Sequence, residues 1–222
     1  MRLILDTALD ACQAVLADAD GRLLFARSEA LTRGHAERLM PLVEELLDAA
    51  GTGYDALDSL AVTIGPGSFT GLRVGLAAAR GLSVALGLPL AGFTSLAARA
   101  AEYSATPVAI AFDARNARVY HQAFDAEGNP QDGPSVDDVA LAAARLGAGP
   151  GLVTGSGGEA LAAAATTLGK AWRFDGNSRD AAQPEALARA GATARPGTTP
   201  PAPLYLKPAD AIAAKPSGLV AP

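Results

Sequence analysis

Two aspartates close short apolar runs: Asp6 follows Met1–Leu5, and Asp113 follows Val108–Phe112. Carboxylates at strand ends are where Mg²⁺ is held for phosphoryl transfer. The stretches that follow, Asp6-Thr-Ala-Leu-Asp10 and Asp113-Ala-Arg-Asn-Ala117, lack a glycine at the tip to let the backbone approach a phosphate. Aspartate is also a common turn residue. The pair therefore reads as degenerate phosphate loops rather than as a catalytic centre. The histidines, His35 and His121, are 86 positions apart, and Cys12 is the single cysteine. That inventory offers no three-ligand metal site and no disulfide within the chain. Ser68 has no evident His and Asp to activate it, and no Gly-x-Ser-x-Gly elbow is present.

The sharpest local feature is Gly65-Pro-Gly-Ser-Phe-Thr-Gly-Leu-Arg73, a glycine turn opening a helix. Free N–H groups at a helix start can hold an anion. No Gly-Lys-Ser/Thr follows, however, and Pro66 removes one donor. A tight strand-to-helix turn over Gly65, Pro66, Gly67, Ser68, Phe69 and Thr70, with Ser68 as N-cap, is the better reading of the residues alone. The following helix carries Gly71, Gly75, Ala79 and Ser83 at four-residue spacing, a smooth stripe that lets another helix come close, inside the lobe or on a partner. Arg73 and Arg80 lie beside it.

The elements that must position these residues follow from periodicity. Strands are expected at 1–5, 11–17 and 22–28, with a turn at Asp18-Ala-Asp-Gly21. A helix from Gly34 to Ala50 has Leu39, Leu42, Val43, Leu46 and Leu47 at helical spacing, with Pro41 expected to kink or restart it. Its start places His35 as a surface or interface residue. Next come a strand at 60–64, the helix 69–86, a strand at 88–93 and a helix at 95–101.

The pattern then restarts. Asp113 to Gly128 repeats Asp6 to Gly21 at an offset of 107, pairing Asp18 with Asp125 and Gly21 with Gly128. Strand 151–154, a turn at Gly155–Gly158 and a helix from Glu159 echo the first half. Duplication is the reading this order supports. It predicts a two-lobed α/β protein: an N-terminal lobe over 1–107, and a C-terminal lobe over 108–222 whose proline-rich tail from about 192 is irregular. Within the tail, Pro203-Leu-Tyr-Leu-Lys207 is apolar enough to dock.

Composition narrows the function classes. The 222 residues carry 18 Lys+Arg against 23 Asp+Glu, a net charge of −5, and no basic run. A protein that grips nucleic acid alone is not expected. Half the residues are apolar, but 52 are alanine. No stretch reads as a membrane span or a secretory signal, so a cytoplasmic location and no membrane partner are expected.

Five segments occur in a familiar order: Ile4-Leu-Asp-Thr7, Arg33-Gly-His-Ala-Glu-Arg-Leu39, Gly65–Arg73, Asp113-Ala-Arg115 with Val119-Tyr120, and Pro203-Leu-Tyr-Leu-Lys207. Together they resemble the TsaB (YeaZ) family, strongly over 1–124, weakly over 125–200 and again briefly in the tail. The resemblance implies a duplicated actin-like, Hsp70-like fold of the ribonuclease H type, with no metal and no chemistry of its own. It implies a scaffold that binds a TsaD-type catalytic subunit, with a TsaE-type ATPase joining. That assembly makes threonylcarbamoyladenosine at position 37 of tRNAs reading ANN codons. The docking surface it implies lies on the helices 34–50 and 69–86, with His35, Arg38, Leu39, Leu42, Leu46, Gly71, Arg73, Gly75 and Ala79 as interface residues. A homodimer is expected when the chain is alone, and tRNA contact only through the complex. No cofactor of its own is implied; a nucleotide at the partner interface is left open. Lys207 stands where relatives often have Arg, and the two are not interchangeable. Two other classes stay in view: an ATP-dependent phosphotransferase of the same fold, and a metallopeptidase in keeping with an older glycoprotease label.

Overall fold

The structure is a computed structural model and describes residues 1–207. Its first half runs β1 (Arg2–Asp6), β2 (Ala11–Ala17), β3 (Leu23–Ala30), α1 (His35–Ala49), β4 (Ser59–Thr63), α2 (Phe69–Leu86), β5 (Leu90–Phe93) and α3 (Ser95–Ala100). The second half repeats it: β6 (Val108–Asp113), β7 (Arg118–Phe124), β8 (Ser135–Asp138), α4 (Val139–Arg145), β9 (Gly151–Thr154), α5 (Gly158–Thr167), β10 (Trp172–Phe174) and α6 (Pro184–Thr193).

The two sheets have the same order, β3-β2-β1-β4-β5 and β8-β7-β6-β9-β10. In each, the first three strands form an antiparallel meander and the last two pair parallel. This is the duplicated actin-like architecture. The repeat extends to single hydrogen bonds. Asp18 Oδ1 accepts from the N–H groups of Asp20 and Arg22, and Asp125 Oδ1 from those of Glu127 and Asn129. Gly21 and Gly128 both hold the left-handed conformation, at φ 81° and 83°.

Strand alternation sends neighbouring residues to opposite faces. Leu3, Leu5 and Leu60 face α1 and α2, packing on Leu39, Leu42, Leu46 and Leu76. Ile4, Val15, Ala61 and Ala91 face the other way, and their cover comes from α6 through Ala186, Leu187, Ala188 and Ala190. On the second sheet, α4 and α5 cover Ala109, Ala111 and Val153. Its other face, with Val108, Ile110 and Phe112, is covered by Leu96 and Ala100 of α3. Each lobe thus lends its last helix to the other lobe's sheet. At about 1.5–3 kcal/mol per buried large aliphatic side chain, both sheets depend on the exchange.

This corrects the division at residue 107. α3 belongs with the second sheet, and α6 with the first. The close fit of α6 needs small residues: a Cβ on Gly191 would sit 2.6 Å from Ile4. Arg2 fixes the end of α6 by donating to the carbonyls of Gly191, Ala192 and Ala194. α1 runs through Pro41 without restarting.

Candidate functional site

A cleft of about 1020 Å³ opens between the lobes, lined by Ala8–Asp10, Pro66–Phe69, Phe112–Arg115, Tyr120, Ser156, Asp180 and Leu204–Lys207. Asp6 stands behind it, 2% exposed. Its Oδ1 accepts from the Thr63 hydroxyl at 2.6 Å and from the Ala8 N–H at 2.9 Å. Burial raises its pKa from the ordinary carboxylate range, opposed by those hydrogen bonds. With Oδ1 held by Thr63 and Ala8, Asp6 is tied into the fold and does not line the cleft. Asp113 is exposed and accepts from the Arg115 N–H at 2.8 Å, the same turn that Asp6 makes with Ala8. Among the described residues, no group of three or more His, Cys, Asp and Glu is placed to hold a metal ion.

Two donors of the glycine loop are used internally. The Ser68 N–H donates to the Ala8 carbonyl at 2.7 Å, and Ser68 Oγ caps α2 by accepting from the Gly71 N–H at 3.3 Å. Gly67 lies so near the β1–β2 turn that a Cβ would be 2.2 Å from the Ala8 oxygen. The loop is thus a joint between β4, α2 and the first hairpin. The Gly65–Pro66 peptide is cis.

The expected interface residues separate into groups. Gly71, Gly75 and Ala79 are buried on the first sheet. A Cβ on Gly71 would lie 2.0 Å from the Thr7 carbonyl, and one on Gly75 would lie 2.5 Å from Thr7 Oγ1. The close backbone approach expected of this stripe is therefore made to Thr7, just after β1, and to Val62 of β4 inside the lobe, and the stripe is not an outward face. Leu39, Leu42 and Leu46 are at most 1% exposed and belong to the same core. His35 is also buried, its Nε2 3.3 Å from the Leu9 carbonyl, which corrects its placement as a surface or interface residue. Arg38 is committed to Glu29 of β3 and Glu45 of its own helix, with contacts of 2.5–2.8 Å, and these carboxylates raise its pKa. Of the group, Arg73 stands in the open.

What α2 leaves exposed is its other side: Thr70, Arg73, Ala77, Arg80, Gly81, Val84 and Ala85. The helix is 18 residues long and apolar enough, by length and composition, to cross a membrane, yet only 28% of it is buried. Val84 is 85% exposed, and an added Cβ on Gly81 would meet nothing within 4 Å. Val74, Ala78, Leu82 and Leu86 pack against the core beside α1. On the opposite flank, residues 196–207 cross the lobe as a strap. The Leu204 N–H donates to the Ile64 carbonyl at 2.7 Å, and Pro196 bridges to Ala91 of the edge strand β5. Arg80 donates to the Pro201 carbonyl, and Arg73 Nε to the Tyr205 hydroxyl at 3.2 Å.

Three features escaped the sequence reading. Arg115, Asn116 and Ala117 are successive non-glycine residues at φ 55–63°. Left-handed backbone costs such residues roughly 1–2 kcal/mol each, and it sets Arg115 at the cleft mouth; Asn116 was the one hint. Asp180 accepts from both the N–H and the hydroxyl of Ser156 at 2.7 Å, and burial raises its pKa, with the charge of Asp10 adding to the rise. Arg99, fully buried, joins the lobes: it donates to the Arg179 carbonyl and to Thr154 Oγ1, and pairs with Glu102 at 2.7 Å.

Comparison with known proteins matches residues 28–176 to the family model described as "TsaD: tRNA N6-adenosine threonylcarbamoyltransferase". The chain is 37% identical over 131 residues to the tRNA threonylcarbamoyladenosine biosynthesis protein TsaB of Escherichia coli, covering 57% of this chain and 56% of that one. It is 39% identical over 152 residues to the uncharacterized protein Rv3421c of Mycobacterium tuberculosis, covering 68% and 69%. The chain spans about half the length of the curated TsaB relatives it matches. In structure it is similar to YeaZ from Pseudomonas aeruginosa, with a TM-score of 0.73 and 29% identity over 92% of this chain and 99% of that one.

Proposed function

Because this chain belongs to the TsaB (YeaZ) family, related to the TsaD threonylcarbamoyltransferases, we propose that it is a non-catalytic docking subunit for a TsaD-type enzyme. The reaction served is threonylcarbamoylation of N6 of adenosine 37 in tRNAs reading ANN codons, in the cytoplasm, with a TsaE-type ATPase as a further partner. The carrying observation is α2, an apolar helix whose outer side, from Ala77 through Gly81, Val84 and Ala85, its own chain leaves exposed. A free membrane span is a poor account of it, since Gly71, Gly75 and Ala79 are buried inside the lobe and the exposed side carries Arg73 and Arg80. A partner helix along Ala77 and Gly81 would remove that surface from water. The transferase family model matches residues 28–176, which include α2, and this supports a TsaD-type partner that would offer an equivalent helix. A second copy of this chain would use the same face, so homodimer and heterodimer compete.

The cleft supports a non-catalytic reading. Its Asp6 is buried and hydrogen-bonded, and in its glycine loop the Ser68 N–H is taken by the Ala8 carbonyl and the Gly71 N–H by the Ser68 hydroxyl. The chain needs no cofactor of its own.

The test is Gly81→Leu, mixed with a purified TsaD-type protein and followed by calorimetry and tRNA modification. The space around Gly81 is open, and Leu is the better helix former, so the melting temperature should hold or rise. Overpacking the seam should cost about 1–3 kcal/mol, a factor of about 5 to 150 in Kd. Unchanged affinity and modification would remove α2 as the docking face. ATP turnover by the chain alone would reinstate the phosphotransferase.

A further inference from the structure

We infer that the strap, residues 196–207, forms the second wall of the seam along α2, and that Tyr205, Phe69 and Arg73 are the anchor gripped by the same TsaD-type subunit. The inference rests on the docking role proposed above for α2. Phe69 and Tyr205 are large and yet 42% and 47% exposed. Their rings stack at 5.2 Å between centroids, 29° from parallel. The Arg73 guanidinium lies 3.7 Å above the Phe69 ring, and its Nε donates to the Tyr205 hydroxyl. Aromatic and arginine side chains are the types that dominate interface energetics when a partner excludes water from them.

The strap is held in place without a partner. Its backbone is fixed through the Leu204 N–H on Ile64, and Arg80 holds the Pro201 carbonyl one step earlier. Tyr205 therefore needs little ordering on binding, and preorganised side chains lose less entropy when buried. On an ideal helix Phe69, Arg80 and Arg73 fall within about 40° of one another, with Val84, Ala77 and Gly81 over roughly the next 80°. The aromatic pair thus borders the open floor of small residues, with α1 on the far side. A helix laid on Ala77 and Gly81 passes alongside Tyr205, so the patch continues the α2 face rather than forming a separate site.

A nucleic acid is the less favoured occupant. The cleft, whose rim Phe69 and Tyr205 share, carries Asp10, Asp113 and Asp180 against Arg115 and Lys207, and the chain is net negative. That surroundings opposes a phosphate backbone.

The experiment measures affinity of the full chain for a purified TsaD-type protein by calorimetry, and tRNA binding by the assembled pair. Tyr205→Ala should weaken the protein–protein complex by about tenfold or more, with an unchanged melting temperature. Tyr205→Phe, which keeps the ring and loses only the hydroxyl, should stay near wild type. Wild-type affinity in Tyr205→Ala alongside loss in Gly81→Leu would overturn the strap inference and leave the α2 reading standing. If neither variant weakens the complex, both fall. If Tyr205→Ala spares the protein complex but weakens tRNA binding by the pair, the patch is an RNA platform and the inference is wrong.

Discussion

Asp6 illustrates how the same residue type at a strand end can be chemical in one protein and architectural in another. Here the carboxyl joins β1 to β4 through Thr63 and shapes the β1–β2 turn through Ala8. Burial is the largest cause of its raised pKa, so the folded state keeps a proton that the unfolded chain releases near 3.8. The linkage has a definite sign: the contribution to stability is complete below 3.8 and is lost as pH rises through the higher folded value. Asp6→Asn keeps an acceptor oxygen and does not titrate. In urea unfolding, its stability relative to wild type should therefore improve from acid to neutral pH, with modification by the complex retained. A gap that widens in favour of wild type toward neutral pH would mean that the carboxylate form is the stabilising one.

At the level of elements, the small residues of α2 serve two opposite surfaces. Gly71 is a packing residue, with the Thr7 carbonyl where its Cβ would be; Gly81 faces open space. Gly71→Ala should destabilise by about 2–3 kcal/mol, lowering Tm by about 4–12 °C. Gly81→Ala should raise stability by up to about 1 kcal/mol. Thermal melts of the two single variants check both signs. The four-residue spacing of Gly71, Gly75 and Ala79 was visible in the sequence, as was the close packing it allows. The side it faced was not, because Ala77, Gly81 and Ala85 make a second small stripe at the same spacing on the exposed side of the helix. Strands β1, β2, β6 and β7, the repeat at offset 107 and the Ser68 cap were legible because alternating large side chains, turn glycines and a capping hydroxyl are local signals. β8, α4 and α6 were not. Ser135–Asp138 has few large apolar residues, α4 is short and mostly alanine, and α6 carries Leu187 as its one large apolar side chain among small ones. The strap was foreseen only as a docking segment, since its partners Arg73 and Arg80 lie more than 120 positions away.

For the whole molecule, the exchange of α3 and α6 makes two visible repeats into one cooperative unit. Arg99 reinforces it, linking α3 to β9 and to the loop before α6, with Glu102 also holding Arg179 at 2.7 Å. A fragment ending at Pro107 would have Ile4, Val15, Ala61 and Ala91 without the cover of α6, and Leu96 and Ala100 of α3 without the second sheet they pack on. It should fail to fold, showing no cooperative melt by circular dichroism, whereas the full chain should unfold in a single transition. A fragment that melts cooperatively at the temperature of the full chain would mean that the exchange is dispensable.

The crossed helices also set a schedule for biosynthesis. Translation delivers the whole first sheet well before α6, the element that closes its inner face. During that interval Ile4, Val15 and Ala61 emerge from the ribosome as an uncovered β surface, the sort of species that aggregates or recruits chaperones. The nascent chain must hold this half-finished sheet open until residues 184–193 arrive. Growth temperature and translation speed over the second half of the message should therefore affect the yield of this protein more than their effect on its final stability would imply.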